Sequence, residues 1–281
     1  MSRTGNGLLV LVGTPIGNLG DLTPRAVEAL RAADVIACED TRRTGKLLAH
    51  AQVEAAGRLR AVHAHNEAAE ARRVVDQVAA GRRVAYVSDA GLPGLSDPGQ
   101  RLAAACLAAG LEVDLVPGPD AVTTALVLSG LPAKRFVFDG FLPRKGADRR
   151  ERIAALGAET RTAVLYESPH RVAATLADLR DACGPDRPVA VLRELTKLHQ
   201  DVYRGPLGDA AALAAAYPSR GEHVIVLAGA SGEIPPVDDD VVRAALAEAR
   251  ARGLSARDAS AEVAQTLGVP KRRAYALATE R

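Results

Sequence analysis

Tyr86-Val87-Ser88-Asp89-Ala90-Gly91-Leu92-Pro93-Gly94-Leu95-Ser96-Asp97-Pro98-Gly99 decides the fold of this chain. The apolar run leading into it, Val84 to Val87, predicts a buried parallel strand. Ser88 and Asp89 end that strand, because their side-chain oxygens compete for nearby backbone groups. Gly91, Pro93 and Gly94 exclude helix and strand alike. Ser96 or Asp97 is placed to cap a helix with Pro98 in its first turn, running from Arg101 to Ala109. The stretch is thus a strand, a glycine-rich loop carrying carboxylates, and a helix. In open α/β sheets ligands bind beside such loops, at the carboxyl ends of the strands. Many loops of this kind only turn the chain, but a second follows at Val116-Pro117-Gly118-Pro119-Asp120-Ala121, and the pair favours a binding site.

Outward from this loop the same alternation continues. Leu8 to Val12 predicts a first strand, and Thr23 caps a helix that starts at Pro24. Asp34 to Cys38 is a strand running into Glu39-Asp40-Thr41-Arg42-Arg43-Thr44, where Thr41 is expected to cap. Leu59 to His65 is a third strand, followed by a helix capped by Asn66 and stopped by Gly81. Such βα alternation predicts a parallel, doubly wound sheet. After the strand Glu112 to Val116 and the helix Asp120 to Ser129, a boundary is expected at Leu131 to Arg135. Phe136 to Phe141, Thr162 to Tyr166, Val189 to Leu195, Val202 to Gly205 and Val224 to Leu227 predict a second, mixed α+β sheet, with Ser168 and Pro169 opening a helix. Beyond Pro235-Pro236 three short helices are expected. Asp240 caps the first, which ends near Gly253; the second spans Ser255 to Gly268; the third starts at Pro270 with Lys271, Arg272 and Arg273 in its first turn. That spacing is helix-turn-helix-like, with the basic helix in the recognition position. The expected domains are 1–131, 132–234 and 235–281.

Composition removes several function classes. The chain has 281 residues, enough for two α/β domains, and no apolar run near the roughly 20 residues of a membrane span. With no leader pattern at Met1 to Gly7, a cytoplasmic protein is expected. The cysteines Cys38, Cys106 and Cys183 are odd in number and far apart, which suits neither disulfides nor a zinc knuckle. Lys+Arg 36 against Asp+Glu 34 gives only +2, so any nucleic-acid surface must be local. Lys134 to Arg152 supplies one, with seven cations against three anions. No strand is followed by Gly-x-Gly-x-x-Gly, Gly45-Lys46 lacks the rest of a phosphate loop, and Pro98 spoils a nucleophile elbow at Gly94-Leu95-Ser96-Asp97. His63 and His65 fall on one face of the expected third strand, but no third metal ligand is spaced with them, and no metal is expected.

Several motifs occur in a fixed order. They are Thr14-Pro15-Ile16-Gly17-Asn18-Leu19, Glu39-Asp40-Thr41-Arg42, His65-Asn66-Glu67, Ser88-Asp89-Ala90-Gly91 with Ser96-Asp97-Pro98-Gly99, and Pro117-Gly118-Pro119. Gly140-Phe141-Leu142-Pro143, Tyr166-Glu167-Ser168-Pro169-His170-Arg171 and Arg193-Glu194-Leu195-Thr196-Lys197 follow. Together, from about Leu8 to Gly229, they resemble the ribosomal RNA small subunit methyltransferase I family, a branch of the tetrapyrrole methylase fold. Leu92 departs from the family, which more often has Thr there. The resemblance implies a two-domain α/β methylase with a helical C-terminal extension, acting as a homodimer with S-adenosylmethionine as donor. It implies as acceptor the 2′-hydroxyl of a decoding-region cytidine in 16S rRNA of the small ribosomal subunit.

The strand-end loops then give the expected donor site: Pro15, Asp89, Ala90, Gly91, Leu92, Pro117, Gly118, Pro119, Ala121, Tyr166, Glu167 and Leu195. Glycine-proline loops let backbone close on a ligand, and carboxylates suit a cationic donor. Expected RNA contacts are Arg42, Arg43, Arg144, Lys145, Arg149, Arg150, Lys271, Arg272 and Arg273. For the hydroxyl proton, Glu39 and His65 are the expected acceptors, and Lys197 the cation that steadies the oxygen's charge. A porphyrin-like methylase of the same fold would be expected to lack the basic tail and the Glu39-Asp40-Thr41-Arg42 cluster; a non-catalytic RNA-binding module would not need the ordered loops.

Overall fold

The computed structural model describes residues 7–63, 65–214, 221–230, 238–267 and 269–279. The Pro235-Pro236 break, the helix end at Gly268 and the expected boundary between 234 and 235 lie outside them. Two compact units result, Met1–Ala230 and Ser231–Arg281.

The larger unit begins with a five-stranded, wholly parallel sheet in the order β3-β2-β4-β1-β5. Its strands are β1 (Leu8–Val12), β2 (Val35–Cys38), β3 (Leu59–Ala61), β4 (Arg83–Val87) and β5 (Glu112–Val116). Strand alternation sends successive side chains to opposite faces. Val10, Ile36, Ala85 and Val87 meet Leu30 of α1 (Pro24–Ala32) and Leu48 of α2 (Thr41–His50). Leu9, Ala37, Val84 and Tyr86 meet Val74 and Val78 of α3 (Glu67–Ala79) and Leu102 of α4 (Gln100–Ala108). With helices on both faces, every loop that follows a strand lies along one edge of the sheet.

The second sheet is mixed, in the order β6-β7-β10-β8-β9. It comprises β6 (Phe136–Phe141), β7 (Thr162–Glu167), β8 (Pro188–Arg193), β9 (Asp201–Pro206) and β10 (His223–Leu227). Only β6 and β7 are parallel. α6 (Ala147–Ala158), α7 (Val172–Cys183) and α8 (Leu207–Ala214) cover one face. α5 (Ala121–Ser129) covers the other, where Val122, Ala125 and Leu126 pack on Val164, Leu192 and Val226, together with Ile16 from the loop after β1. The chain therefore changes sheets at Pro117 to Asp120, ahead of the boundary expected at Leu131 to Arg135. α5 has apolar residues almost all round, so its pattern does not say which sheet it serves.

Five local expectations in the larger unit are corrected. Asp40, not Thr41, caps α2, because its carboxylate accepts from Arg42 N at 2.7 Å and Arg43 N at 3.4 Å. The third strand ends at Ala61, so His63 and His65 sit in a turn, and Asn66 braces that turn instead of capping α3: its side chain accepts from His63 N and donates to Ala61 O. Neither Ser96 nor Asp97 caps α4. Glu67 from α3 does so, with Oε1 accepting from Gly99 N at 2.8 Å and Arg101 N at 3.1 Å. Finally, 168–171 form a turn before α7, which begins at Val172.

The smaller unit contains α9 (Asp239–Ala251), α10 (Ala256–Leu267) and α11 (Lys271–Thr279) around a core of Val242, Leu246, Ala259, Val263 and Ala274. Asp238, not Asp240, caps α9, and the Ser255 hydroxyl accepts from Asp258 N as the capping-box pattern predicts.

Candidate functional site

The loops after β1, β2, β4 and β5 converge at the carboxyl edge of the first sheet. Thr14 and Gly91 exchange backbone hydrogen bonds of 3.0 and 3.1 Å, tying the β1 loop to the β4 loop. Asp40 N donates to Asp89 Oδ1 at 3.1 Å and Asp89 N to Glu39 Oε2 at 3.4 Å, tying the β2 loop to the same place. Gly91 has φ of +79°, and a Cβ there would stand 3.3 Å from Ile16 Cγ2. The turn needs glycine, and the loop stays thin.

Between these loops and the second sheet lies a cavity of about 400 Å³, within the range of small-molecule sites. Ile16, Leu92, Leu95 and Leu195 line it with apolar surface, and Phe141 and Tyr166 add an aromatic wall, with ring centroids 5.6 Å apart. Its far wall, Glu222 to Val224, enters β10. The loop after β8 closes over the β1 loop. Asn18 N donates to Thr196 Oγ1 at 3.1 Å, and a Cβ on Gly17 would come within 2.5 Å of Lys197 Cγ. Glu194 and Thr196 both hold positive φ, +52° and +65°, a strained arrangement for non-glycine residues.

Six carboxylates line this cavity: Glu39, Asp89, Asp97, Asp120, Glu167 and Glu222. Four have evident partners. Asp89 pairs with Arg43 at 3.2 Å, and Asp120 caps α5 through Val122 N and Thr123 N. Buried Glu167 accepts from Ser168 N and the Thr175 hydroxyl and faces Arg171 at 3.4 Å. Glu222 meets Lys197 Nζ at 2.9 Å. Glu39 and Asp97 have no ion-pair partner among the described residues. Burial, then the charge of Asp89, raises the pKa of Glu39. Burial, then the charge of Glu39, raises that of Asp97 to about 6. The site thus holds more negative charge than its own cations balance, which suits a cationic ligand.

The structure gathers most of the expected donor residues. Asp89, Ala90, Gly91, Leu92, Ala121, Tyr166, Glu167 and Leu195 line the cavity. Pro15, Pro117, Gly118 and Pro119 do not; Gly118 packs against Gly13, and the Pro119 carbonyl lies beside Gly91. Of the expected proton-handling residues, Glu39 is at the cavity and Lys197 at its rim through Glu222. Burial opposes the charge of Lys197, but its hydrogen bonds to Glu194 at 2.8 Å and to Glu222 outweigh it and raise its pKa. His65 is exposed and outside the lining, because its strand stops early. Asp97, Ser96, Asp120 and Glu222 join the lining without having been expected there. Asp97 and Asp120 carry a sequence signal, a carboxylate in a glycine-proline loop, but at Asp97 the signal reads equally well as a cap.

The basic candidates divide. Arg144, Lys145 and Arg150 are exposed, but Arg149 points inward, bonded to Pro143 O, Thr175 Oγ1 and Asp178, with its side chain 11% exposed. Arg149 is therefore corrected to a brace between α6 and α7. Arg42 turns back to Asp40 at 3.0 Å, and that hydrogen bond holds the Asp40 pKa down at about 2. In the smaller unit Arg273 pairs with Asp239, whereas Lys271 and Arg272 are exposed. Among the described residues no group of three His, Cys, Asp or Glu is placed to hold a metal, and no helix is long and apolar enough to cross a membrane.

Comparison with known proteins fits this geometry. A family model described as Tetrapyrrole (Corrin/Porphyrin) Methylases matches residues 8–211, and one described as RsmI C-terminal HTH domain matches residues 235–281. The chain is 46% identical over 275 residues to the "Ribosomal RNA small subunit methyltransferase I" of Synechocystis sp., covering 98% of each. It is 46% identical over 271 residues to the protein of that name from Mycobacterium tuberculosis, covering 96% of this chain and 94% of the other. Among solved structures, the uroporphyrin-III C-methyltransferase of Thermus thermophilus complexed with S-adenyl homocysteine shares the fold. Its TM-score is 0.55 at 20% identity, covering 79% of this chain and 97% of the other.

Proposed function

We propose, since this chain belongs to the ribosomal RNA small subunit methyltransferase I family, that it methylates 16S rRNA of the small ribosomal subunit with S-adenosylmethionine as donor. The acceptor is the 2′-hydroxyl of a decoding-region cytidine. The observation that carries this reading is the acid-lined cavity of about 400 Å³ between the two sheets, built from the loops after β1, β2, β4 and β5. Its thin backbone at Gly91, its aromatic wall and its uncompensated carboxylates fit a flat, cationic ligand. A bound donor supplies an activated methyl group and its own leaving group. The protein's work is then to align the acceptor oxygen, to exclude water and to handle one proton.

The residues divide that work. Asp89 to Leu92, Ala121, Tyr166, Glu167 and Leu195 hold the donor. Glu39 and Lys197 stand where the acceptor enters. The exposed Arg144, Lys145 and Arg150, with Arg42 and Arg43 at the mouth and Lys271 and Arg272 in the helical tail, bind rRNA phosphates. The protein acts in the cytoplasm as a homodimer, consistent with exposed apolar side chains such as Val127 (75%) and Leu198 (92%). Calorimetry with S-adenosylmethionine, followed by methyl incorporation into small subunits, free 16S rRNA and a tetrapyrrole, tests the assignment. Donor binding with methylation of rRNA alone is expected, and methylation of the tetrapyrrole alone would replace it. In Gly91→Val the branched side chain enters the ligand's space, so a folded variant with unchanged donor affinity would move the site elsewhere.

A further inference from the structure

We propose that Asp97 takes the proton of the acceptor hydroxyl during methyl transfer, with Glu39 acting through it. This rests on the methyltransferase reading above.

Position is the first argument. Asp97 lines the cavity beside Ser96, Glu39 and Asp89, on the loop that also supplies the proposed donor contacts. That loop is fixed on both sides of the carboxylate. Before it, Ser96 holds φ of +65°, a strained geometry for a residue with a side chain. After it, Gly94 N donates to Pro98 O at 3.1 Å, and Gly99 N is anchored on Glu67. Gly99 also presses on the ring of Tyr86, where an added Cβ would come within 2.9 Å of Cε1. Backbone held this firmly fixes where the carboxylate is carried, which is what pre-organisation asks of it.

Chemical availability is the second argument. Asp89, Asp120, Glu167 and Glu222 spend their charge on Arg43, on the α5 cap, on Arg171 and on Lys197. Asp97 has no ion-pair partner among the described residues, and the Ser88 hydroxyl near it donates to Ala90 O at 3.3 Å; the charges facing it are Glu39 from the β2 end, Asp89 from its own loop and Glu222 from the approach to β10. Burial first, then Glu39 and Glu67 for Tyr86 and Asp120 for Tyr166, and after these Asp97, raise the pKa of the two tyrosines, while the Tyr86 hydroxyl itself donates to Val62 O. Arg43, the cation in the cavity wall, is paired with Asp89. With its pKa raised to about 6, Asp97 is a better base than an ordinary carboxylate yet is ionised at neutral pH. In the step itself the hydroxyl oxygen bonds to the methyl carbon and the carbon–sulfur bond breaks, its electron pair passing to sulfur. The hydroxyl proton goes to an Asp97 oxygen and then to water.

The test combines a titration with a rate. Carbon-13 NMR of labelled aspartate in the free protein should show a carboxyl titrating near pH 6 that is missing in Asp97→Asn and moves to lower pH in Glu39→Gln. In single-turnover methylation of small subunits at saturating S-adenosylmethionine, Asp97→Asn should lose roughly 100-fold or more in rate. Because Asp97 also adds to the negative charge that suits a cationic donor, the rate is read at donor concentrations that saturate the variant, which separates any weaker binding from the loss in chemistry. In Glu39→Gln the pH midpoint of the rate should fall, as in the titration. Asp97→Glu, which keeps the carboxylate, should restore part of the rate. An Asp97→Asn protein as fast as the parent, or an Asp97 that titrates in the usual carboxylate range, overturns the proposal alone. A parent that methylates no rRNA overturns the functional reading, and this proposal with it.

Discussion

Gly13 and Gly118 lie back to back: a Cβ on Gly13 would come within 2.7 Å of Gly118 N, and one on Gly118 within 2.8 Å of the Gly13 carbonyl carbon. Two strand-end loops cross here with no room for a methyl group on either, and Gly13 N donates to Val116 O at 2.9 Å beside the crossing. Gly118→Ala must therefore separate the β1 loop from the β5 loop. The expected cost is roughly 1–3 kcal/mol, as for other overpacked sites. Because the shift carries Asp120 and Ala121 with it, donor affinity should fall too. Urea unfolding and calorimetry with S-adenosylmethionine measure the two effects, and a variant unchanged in both would show that the loops slide freely.

Glu67 makes a second prediction. It is buried, it lies on α3, and it caps α4 through Gly99 N and Arg101 N. Glu67→Ala leaves two amides at a helix start without that acceptor, at a cost of about 1–3 kcal/mol. Glu67→Gln keeps an acceptor oxygen and should lose less. Equal losses in the two variants, read by thermal unfolding, would assign the effect to packing.

How much of this is visible in the sequence depends on distance along the chain. The two donor loops are legible because glycine and proline mark strand ends locally, and Gly91 and Gly118 stand where backbone must be thin. Asp97 is not, because Ser-Asp-Pro before a helix is the ordinary signature of a cap. The true cap, Glu67, lies 32 residues before Gly99. Arg149 misleads for a similar reason: a charge run looks solvated until Asp178, 29 residues on, turns one member inward. The sheet that α5 joins is equally hidden, since a helix apolar on most sides has no preferred face.

The same division of the basic run yields a third prediction. Arg144, Lys145 and Arg150 together changed to alanine should leave stability intact and flatten the salt dependence of RNA binding by roughly 2–3 in slope, about 0.7–0.9 for each phosphate no longer neutralised. Donor affinity should not change. Arg149→Ala should do the reverse, destabilising the fold by about 1–2 kcal/mol as Asp178 and Thr175 lose their partner. Filter binding across a salt series and urea unfolding on both proteins separate them; a salt slope altered equally by both would return Arg149 to the RNA surface.

Asp97 also makes a prediction about stability. Its pKa in the folded protein is about 6, above the ordinary 3.8, because burial and the charge of Glu39 disfavour ionisation. The folded state thus binds the proton more tightly than the unfolded state, and ionised Asp97 opposes folding at neutral pH. This destabilisation is absent below the ordinary carboxylate pKa, grows as pH rises and is complete above about 6. Asp97→Asn removes it. The variant should therefore melt above the parent at pH 8, with the difference shrinking as pH falls and vanishing only below the ordinary carboxylate pKa of 3.8. A melting difference independent of pH would mean that Asp97 is not strained by its charge.

Lys197 closes the electrostatic circuit of the cavity. Its ammonium lies 2.8 Å from Glu194 and 2.9 Å from Glu222, and Glu222 is one of the charges facing Asp97. Lys197→Ala leaves Glu222 uncompensated at the cavity wall, so Asp97 should hold its proton more tightly still. The pH midpoint of methylation should rise, opposite in direction to Glu39→Gln, while Lys197→Arg should return it toward the parent value. A second effect follows from packing. Lys197 Cγ lies where a Cβ on Gly17 would fall, and the neighbouring Thr196 hydroxyl accepts from Asn18 N, so truncation loosens the β8 loop on the β1 loop. That loosening lowers the rate at every pH, whereas the electrostatic effect moves the midpoint. Rate profiles from pH 5 to 9 for the three proteins distinguish the two. A lowered rate with an unmoved midpoint would make Lys197 a latch between loops and leave Glu222 without influence on the proton.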